Sequence, residues 1–234
     1  MTGADANRNQ LYIPASHGEV EAKQVTLEAG RLSEPYVMFF FSPFRTAASY
    51  STLRAEAFRT FFPRTHEYYR RSMEALRREK PWLKFPFVDS LPAAAFNLGP
   101  RTVCAPHRDA KNLSFGICCI TALGDFDHAA GGHLVLEELG LLVQFPPGST
   151  ALIPSAVVTH WNATIQKHES RYSFTQYASG SLFSYVENGM RTTKEVTFNM
   201  SLQEKEQWRR EACERWNKGL AMFPFIADYA SPGI

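Results

Sequence analysis

The sequence predicts an α+β protein in which helices flank an antiparallel β-sandwich or barrel. Short β-type segments separated by Gly and Pro turns follow one another from residue 93 to residue 177, as in antiparallel all-β cores. Segments with helical periodicity lie on either side, at 51–80 and 201–219. The chain has 234 residues, of which 44% are hydrophobic, and a net charge of +2. It can therefore bury a core, and any basic binding surface must be local.

The N-terminal part is expected to hold a loose arm followed by strands. Residues 1–19 are polar and show no sustained period, so we expect a flexible arm there. Apolar residues alternate and then run together over 20–41, as in strands. The longest apolar run, 36–41, is too short to cross a bilayer, and the polar start lacks the apolar core of a signal peptide. We therefore expect an intracellular protein with a single domain over 20–234.

Residues 51–80 have the period of two helices separated at Pro63. Tyr69, Met73 and Leu76, spaced i, i+4, i+7, predict the buried face of the second helix. The segment 54–84 contains nine basic and four acidic side chains. Seven of the basic residues are candidates for phosphate contacts: Arg64, Arg70, Arg71, Arg77, Arg78, Lys80 and Lys84. The alternative is that a helix over 65–80 simply has a solvated face with i, i+4 ion pairs.

The β core is expected over about 90–190. Its predicted strands are 93–98, 114–121, 133–136, 141–145, 150–154 and 173–177. The C-terminal helix, about 202–219, is predicted from the capping box formed by Ser201 and Glu204. We expect Trp208, Ala212 and Trp216 on the face of this helix that packs against the core.

Four cysteines are present, with no C-x-x-C spacing. This pattern argues against a structural zinc module and against a disulfide framework. We expect reduced, packed thiols. The adjacent pair Cys118 and Cys119 should send its side chains to opposite faces of a strand.

The most informative short motif is His107-Arg108-Asp109. An H-x-D at the end of a strand puts an imidazole and a carboxylate on the same side. His160 follows the turn at Pro146-Pro147-Gly148, 53 residues beyond His107. Each piece alone is common, but two His and one carboxylate in this order match the facial triad of non-haem Fe(II) oxygenases. We interpret His107, Asp109 and His160 as metal ligands.

Arg171 lies 11 residues beyond His160, at the start of the next predicted strand. A guanidinium can bind the far carboxylate of a dicarboxylate through two hydrogen bonds, and Ser173, on the same side by period 2, can add a third. The pattern therefore indicates 2-oxoglutarate as a co-substrate.

Several segments in this order resemble the TET/JBP family of Fe(II)/2-oxoglutarate-dependent dioxygenases, and most closely its fungal TET-like domains. The residues that carry the resemblance are His107, Arg108, Asp109 and Asn112, together with segments 96–100, 124–127, 131–134, 145–149 and 173–177. The resemblance covers about residues 55–190. The cysteine-rich region and the long insert of the animal members have no counterpart in this sequence.

The resemblance implies a double-stranded β-helix (jelly-roll) core. It implies iron on the three ligands above and 2-oxoglutarate on Arg171 and Ser173, with Asn97 and His133 close to the co-substrate. Asn112 matches a side chain that hydrogen-bonds the methylcytosine edge. Ser179 stands where relatives have a histidine that grips the base, so the identity of the base stays open.

The activity implied is oxidation by O₂ of the methyl group of 5-methylcytosine in DNA to hydroxymethyl, formyl and carboxyl forms. A DNA substrate in turn implies a nuclear protein, which we expect to be a monomer with no membrane association. Three alternatives stay open: N6-methyladenine demethylation, hydroxylation of a small molecule or a protein, and a catalytically silent DNA-binding module. The last predicts a lost ligand, and none of the four key positions is lost.

A DNA-binding surface is expected from basic and aromatic side chains. Arg70 and Arg77 on the second helix and Lys111 beside the metal motif are candidates for phosphate contacts. Tyr50, Tyr68 and Trp161 are candidates for stacking on a flipped base.

Overall fold

The computed structural model describes residues 10–13, 47–83 and 90–224. These residues form an α+β structure with two antiparallel sheets and helices packed on the larger one. In chain order the elements are β1 (Gln10–Ile13), α1 (Ala47–Phe61), α2 (Pro63–Glu79), β2 (Ala93–Asn97), β3 (Cys118–Asp125), β4 (Leu134–Leu136), β5 (Leu141–Val143), β6 (Thr150–Ile153), β7 (His160–Asn162), β8 (Ser170–Tyr177), α3 (Gly180–Glu187), α4 (Thr193–Thr197) and α5 (Leu202–Leu220).

The larger sheet has the strand order β1-β2-β8-β3-β6 and the smaller sheet the order β5-β4-β7, with antiparallel pairing throughout. Asn97 of β2 lies opposite Ser173 of β8. Arg171 of β8 lies opposite Gly124 of β3. Gly124 has φ +119°, and a Cβ there would be 2.3 Å from the carbonyl oxygen of Ser170. Only glycine fits this close strand approach without strain.

Two apolar clusters cover the two faces of the larger sheet. The helix-side cluster joins the helices to one face and contains Phe58, Tyr69, Met73, Leu76, Phe115, Cys119 and Phe183. The cluster between the sheets contains Cys118, Ala122, Phe126, Leu134, Leu136, Phe145 and Ile153. Cys118 and Cys119 thus point to opposite faces, as predicted. All four cysteines are free, but Cys213 is exposed, so the expectation that every thiol is packed was wrong for that residue.

The two helices predicted on either side of Pro63 are confirmed as α1 and α2. Tyr69, Met73 and Leu76 are buried, as their spacing predicted. Arg54 differs from the other basic residues of this segment because it is fully buried. It therefore does not belong to a basic surface.

Four of the six predicted strands agree with the structure to within two residues. Strand β3 begins and ends four residues later than expected, and β8 begins three residues earlier. Residues 114–115 form a turn, and Phe115 and Ile117 are buried in the helix-side cluster without belonging to a strand. An apolar run looks the same in both situations. The strand β7 was not predicted. Within the expected loose arm, Gln10–Ile13 pairs with β2. The strands expected over 20–41 lie outside the described residues.

Helix α5 has the predicted capping box: Ser201 accepts from the backbone N–H of Glu204, whose carboxylate accepts from the N–H of Ser201. The prediction that its tryptophans are core residues was wrong. Trp216 is 37% exposed and Trp208 is half-buried. Helices α3 and α4 were missed because both are short. In the described part of the chain, no helix has the length and apolar character that a membrane crossing requires.

Candidate metal centre

The structure brings the three predicted metal ligands together. One donor atom from each of His107, Asp109 and His160 lies within 4.8 Å of the others. The Nε2 atom of His107 is 3.7 Å from Oδ1 of Asp109. His160 is buried, Asp109 is half-buried and His107 is exposed, so the group is open to solvent on one side.

Backbone pairing holds the two histidine segments side by side. The N–H of His107 donates to the carbonyl of His160 at 3.2 Å, and the N–H of His160 donates back at 2.9 Å. His160 begins β7, which pairs with β4 of the smaller sheet. The segment of His107 therefore extends this sheet by one isolated bridge. This pairing explains how ligands 53 residues apart in sequence come to be neighbours.

Hydrogen bonds set the tautomers of both histidines. Nδ1 of His107 is 2.8 Å from the carbonyl oxygen of Ala105, and Nδ1 of His160 is 2.9 Å from that of Val158. A carbonyl only accepts, so each Nδ1 carries the proton and each Nε2 presents a lone pair. Burial lowers the pKa of His160, and the neighbouring His107 lowers it further. The neutral imidazole that a metal requires is thereby favoured.

Asn112 holds the carboxylate of Asp109, and Ser155 holds its backbone. Its Oδ2 accepts from the amide of Asn112 at 3.2 Å, and this amide also donates to Oγ of Ser155 at 3.1 Å. The backbone N–H of Asp109 donates to the carbonyl of Ser155 at 2.9 Å. Oδ1, the oxygen nearer His107, takes no part in these bonds. Both donor hydrogens of Asn112 are therefore used within the protein.

Arg171 places a buried guanidinium between the sheets. Arg171 is only 2% exposed, and its Nε has no hydrogen-bond partner among the described residues. Nη1 makes one long bond, 3.5 Å, to the carbonyl of Thr102. Burial lowers the pKa of Arg171 to about 10. A buried cation with an unfilled donor could hold an anion.

Ser173 and Asn97 lie on adjacent strands beside Arg171. The amide nitrogen of Asn97 donates to Oγ of Ser173 at 2.7 Å. Ser173 is two residues from Arg171 on β8 and faces the same side of the sheet. Burial raises the pKa of the Cys104 thiol; the charge of Arg171 lowers this pKa and that of Asp109 raises it further.

The other predicted site residues are placed as follows. His133 is half-buried just before β4. Ser179 precedes α3, and its backbone pairs with that of Asn112. Its hydroxyl donates to the carbonyl of Lys111 at 3.3 Å. Lys111 is exposed.

Ion pairs within α2 occupy much of its basic face. Arg70 donates to Glu67 at 2.8 Å and to Glu74 at 3.0 Å. Arg71 donates to Glu67 at 2.6 Å, and Arg78 lies 3.4 Å from Glu74. These contacts are those expected of a solvated helix face.

Of the stacking candidates, Tyr68 belongs to the helical core. Its ring stacks on Phe183 with centroids 5.1 Å apart, and its hydroxyl donates to Glu187 at 2.7 Å. It is therefore not available to stack on a base. Trp161 is half-buried on β7, Arg77 is half-buried on α2, and the side chain of Tyr50 lies outside the described residues.

Several residues that support the site were missed by sequence reasoning. Asn162 accepts from the backbone N–H of Cys104 at 3.0 Å and donates to the carbonyl of Thr102 at 3.0 Å. Asn162 could have been predicted as a supporting residue because it lies two residues after His160, and side chains two apart on a strand face the same side. Ser155 carried no such signal.

These residues fit a divalent metal and an anionic partner. Two imidazole lone pairs and one carboxylate oxygen form a three-ligand set that leaves further coordination positions open. The unfilled Nε of Arg171 supplies a donor for a carboxylate.

No protein-family model and no curated protein matches the chain. Among solved structures it is similar in part to NgTET1 in complex with 5mC DNA, with 25% identity, 38% of this chain and 34% of that chain covered, and a TM-score of 0.34. It is also similar in part to the viral collagen prolyl hydroxylase vCPH of Paramecium Bursaria Chlorella virus-1, with 13% identity, coverages of 37% and 57%, and a TM-score of 0.28. A third is the polyketide cyclase RemF of Streptomyces resistomycificus, with 17% identity, coverages of 41% and 66%, and a TM-score of 0.24.

The matched part of this chain thus spans about a third of the length of NgTET1 and less than two thirds of the other two proteins. The overlaps are confined to part of each fold.

Proposed function

We propose that this chain is an Fe(II)- and 2-oxoglutarate-dependent dioxygenase that oxidises the methyl group of 5-methylcytosine in DNA. The observation that carries the proposal is the His107, Asp109 and His160 group, whose donor atoms lie within 4.8 Å of one another. The buried Arg171 with its unfilled Nε supports the co-substrate. The two facing antiparallel sheets support a double-stranded β-helix core.

The residues that would hold the metal are Nε2 of His107, Nε2 of His160 and Oδ1 of Asp109. Arg171 would bind the far carboxylate of 2-oxoglutarate, with Ser173, Asn97 and His133 beside it. Bound together, Fe(II) and 2-oxoglutarate supply the oxidation of a C–H bond by O₂, with succinate and CO₂ as the other products.

The chain itself contributes position and proton placement. The Ala105 and Val158 carbonyls keep the protons on Nδ1, which leaves Nε2 unprotonated on both histidines. The aromatic ring of Phe126, 5.9 Å from the guanidinium, forms part of the apolar surroundings of Arg171. An apolar wall strengthens the pairing of that cation with a carboxylate because it lowers the local dielectric.

The DNA substrate rests on the sequence resemblance. In this proposal Asn112 and Ser179 lie beside the flipped base, and Arg70, Arg77 and Lys111 contact phosphates. Asn112 and Ser179 are neighbours through their backbones, which supports a shared substrate wall. A nuclear location and a monomeric state belong to the same proposal.

The experiment is incubation with Fe(II), 2-oxoglutarate and duplexes that carry either 5-methylcytosine or N6-methyladenine, followed by mass spectrometry of the nucleosides. We expect 2-oxoglutarate-dependent hydroxymethyl, formyl and carboxyl cytosine. Formaldehyde release from the N6-methyladenine duplex would identify the demethylase alternative. The matched control is His160→Ala, which removes one ligand and should abolish product formation.

One observation favours a second candidate, a hydroxylase of small molecules or proteins. Arg70 is already paired with Glu67 and Glu74, so the basic face of α2 needs no phosphate. A hydroxylase would show 2-oxoglutarate turnover without salt-dependent duplex affinity. The discriminating measurement is duplex binding across a salt series for the wild type and for the double charge reversal Arg70→Glu, Arg77→Glu.

A further inference from the structure

Each ligand segment of the metal centre carries a polar side chain directly next to a ligand. Arg108 lies between His107 and Asp109, and Thr159 directly precedes His160. Since His107 and His160 are paired across an antiparallel bridge, Arg108 and Thr159 form the next cross-strand pair. Side chains alternate along a strand, so this pair occupies the face opposite the ligands.

Glu138, in the turn between β4 and β5, joins this pair. Its Oε2 accepts from the backbone N–H of Thr159 at 2.7 Å, and its Oε1 accepts from the Thr159 hydroxyl at 2.6 Å. The Oε1 atom also accepts from Nη2 of Arg108. Nε of Arg108 donates to Oγ1 of Thr159 at 2.9 Å, which closes the ring of bonds. We call Arg108, Glu138 and Thr159 the Glu138 cluster.

The bonds to Thr159 and Arg108 lower the pKa of Glu138 to about 2. The carboxylate is therefore an anion throughout the neutral range. The Arg108 side chain is 52% exposed and that of Glu138 37% exposed, so a single ion pair between them would add little stability to the fold. The arrangement instead fixes the relative rotation of the two ligand segments, because one carboxylate bonds to both of them.

We infer that Glu138 is a positioning residue for the metal centre, acting through Arg108 and Thr159. The inference rests on the proposed function, since it assumes that His107, Asp109 and His160 bind a divalent cation. Outer residues that orient metal ligands typically change metal affinity by about 10- to 100-fold when removed.

The test is titration of the metal-free protein with Co(II), followed by visible absorption, together with Mn(II) titration by calorimetry. The variants are Glu138→Gln and Thr159→Val. The second replaces the hydroxyl of Thr159 by a methyl group and keeps the shape of the side chain. The matched control is Glu137→Gln. Glu137 is the neighbouring carboxylate of the same turn, and its side chain makes no hydrogen bond or ion pair with the described part of the chain.

We expect Glu138→Gln and Thr159→Val to weaken Co(II) and Mn(II) binding by about tenfold or more and to alter the Co(II) absorption bands. Glu137→Gln should bind as the wild type does. The metal-free variants should unfold at nearly the same temperature as the metal-free wild type. If Glu138 only stabilised the fold, its replacement would lower that temperature. Should Glu138→Gln fail to fold, Thr159→Val decides the question.

Suppose that the wild type binds Co(II) and Mn(II), and that Glu138→Gln and Thr159→Val bind them as tightly as Glu137→Gln does. This result would overturn the inference and leave the proposed function standing. A wild-type protein that binds neither Co(II) nor Mn(II) would instead overturn the metal centre itself and the inference with it.

Discussion

Arg171 puts a positive charge between two sheets, where water cannot solvate it freely. Its unfilled Nε and its lowered pKa have the same cause, which is burial without a complete set of acceptors. An anion at this point would accept from the unfilled donor and raise the pKa of Arg171 again. The unfilled donor of Arg171 therefore supports the proposal that a carboxylate of the co-substrate binds here.

Replacing Arg171 by Ala should raise the dissociation constant of 2-oxoglutarate by about 10- to 100-fold, because hydrogen bonds to a charged partner are lost. Arg171→Lys should restore only part of the affinity, since lysine lacks the planar pair of donors. The measurement is calorimetric titration of the Mn(II)-loaded protein with 2-oxoglutarate. Arg101→Ala is the control, an exposed cation whose backbone lies beside that of Arg171. A loss of affinity in the control alone would move the anion site to Arg101.

Two roles are compatible with Asn112: orienting the metal ligand Asp109 or recognising the base. One variant distinguishes them. Its amide donates to Asp109 and Ser155. We expect Asn112→Ala to weaken Co(II) binding about tenfold in the absence of DNA, because Asp109 loses a donor that orients it. Ser179→Ala, at the paired backbone position, should leave Co(II) binding unchanged. Unchanged Co(II) affinity in Asn112→Ala, with turnover of 5-methylcytosine reduced, would instead assign Asn112 to base recognition.

Helix α5 shows how a terminal element docks on the core. Gly219 is buried near its C-terminal end, and a Cβ built there would lie 2.1 Å from the ring of Phe115. The glycine allows the helix to approach this ring. Most of α5 is otherwise exposed, so the contact at Gly219 decides where the end of the helix sits.

Gly219→Ala should destabilise the protein by about 1–3 kcal/mol through overpacking against Phe115. Helix propensity alone predicts the opposite sign, a gain of about 1 kcal/mol. The free energy of unfolding in urea, followed by circular dichroism, measures the difference. Asn217→Ala, an exposed site in the same turn, is the control and should be close to neutral or stabilising. A stabilised Gly219→Ala variant would show that α5 does not dock on Phe115.

Across the whole fold, Arg54 connects the helical layer to the larger sheet. From α1 it donates through Nε to Thr121 at 3.0 Å, through Nη1 to Gln176 at 3.0 Å and through Nη2 to the carbonyl of Phe174 at 2.8 Å. Its guanidinium also lies 4.0 Å from the centre of the Phe174 ring. One side chain thus ties α1 to β3 and β8, on the face of the sheet opposite Arg171.

Arg54→Met should lower the free energy of unfolding by about 3 kcal/mol, because buried acceptors lose their donors while the volume is nearly kept. Chemical denaturation measures the loss. Arg59→Met, on the same helix but with an exposed side chain paired to Glu56, is the control and should change little. Equal stabilities of the two variants would mean that the buried hydrogen bonds of Arg54 do not hold α1 to the sheet.

Features that depend on neighbouring residues along the chain could be predicted from the sequence. The break at Pro63, the buried face of α2 and the capping box of α5 follow from spacings of a few residues, and local periodicity encodes them directly. The triad was also predictable, since an H-x-D motif and a later histidine are chemically distinctive.

Features that depend on residues far apart in the chain could be seen only in the three-dimensional structure. Arg54 was counted with the basic segment 54–84, and nothing in the sequence indicated that it is buried against residues 67 and 122 positions away. Trp216 looked like core and is exposed. Glu138 had no motif at all, and its part in the metal centre exists because a strand bridge brings residues 108 and 159 together. Burial and hydrogen-bond partners are properties of such long-range pairing, and no short window of sequence contains them.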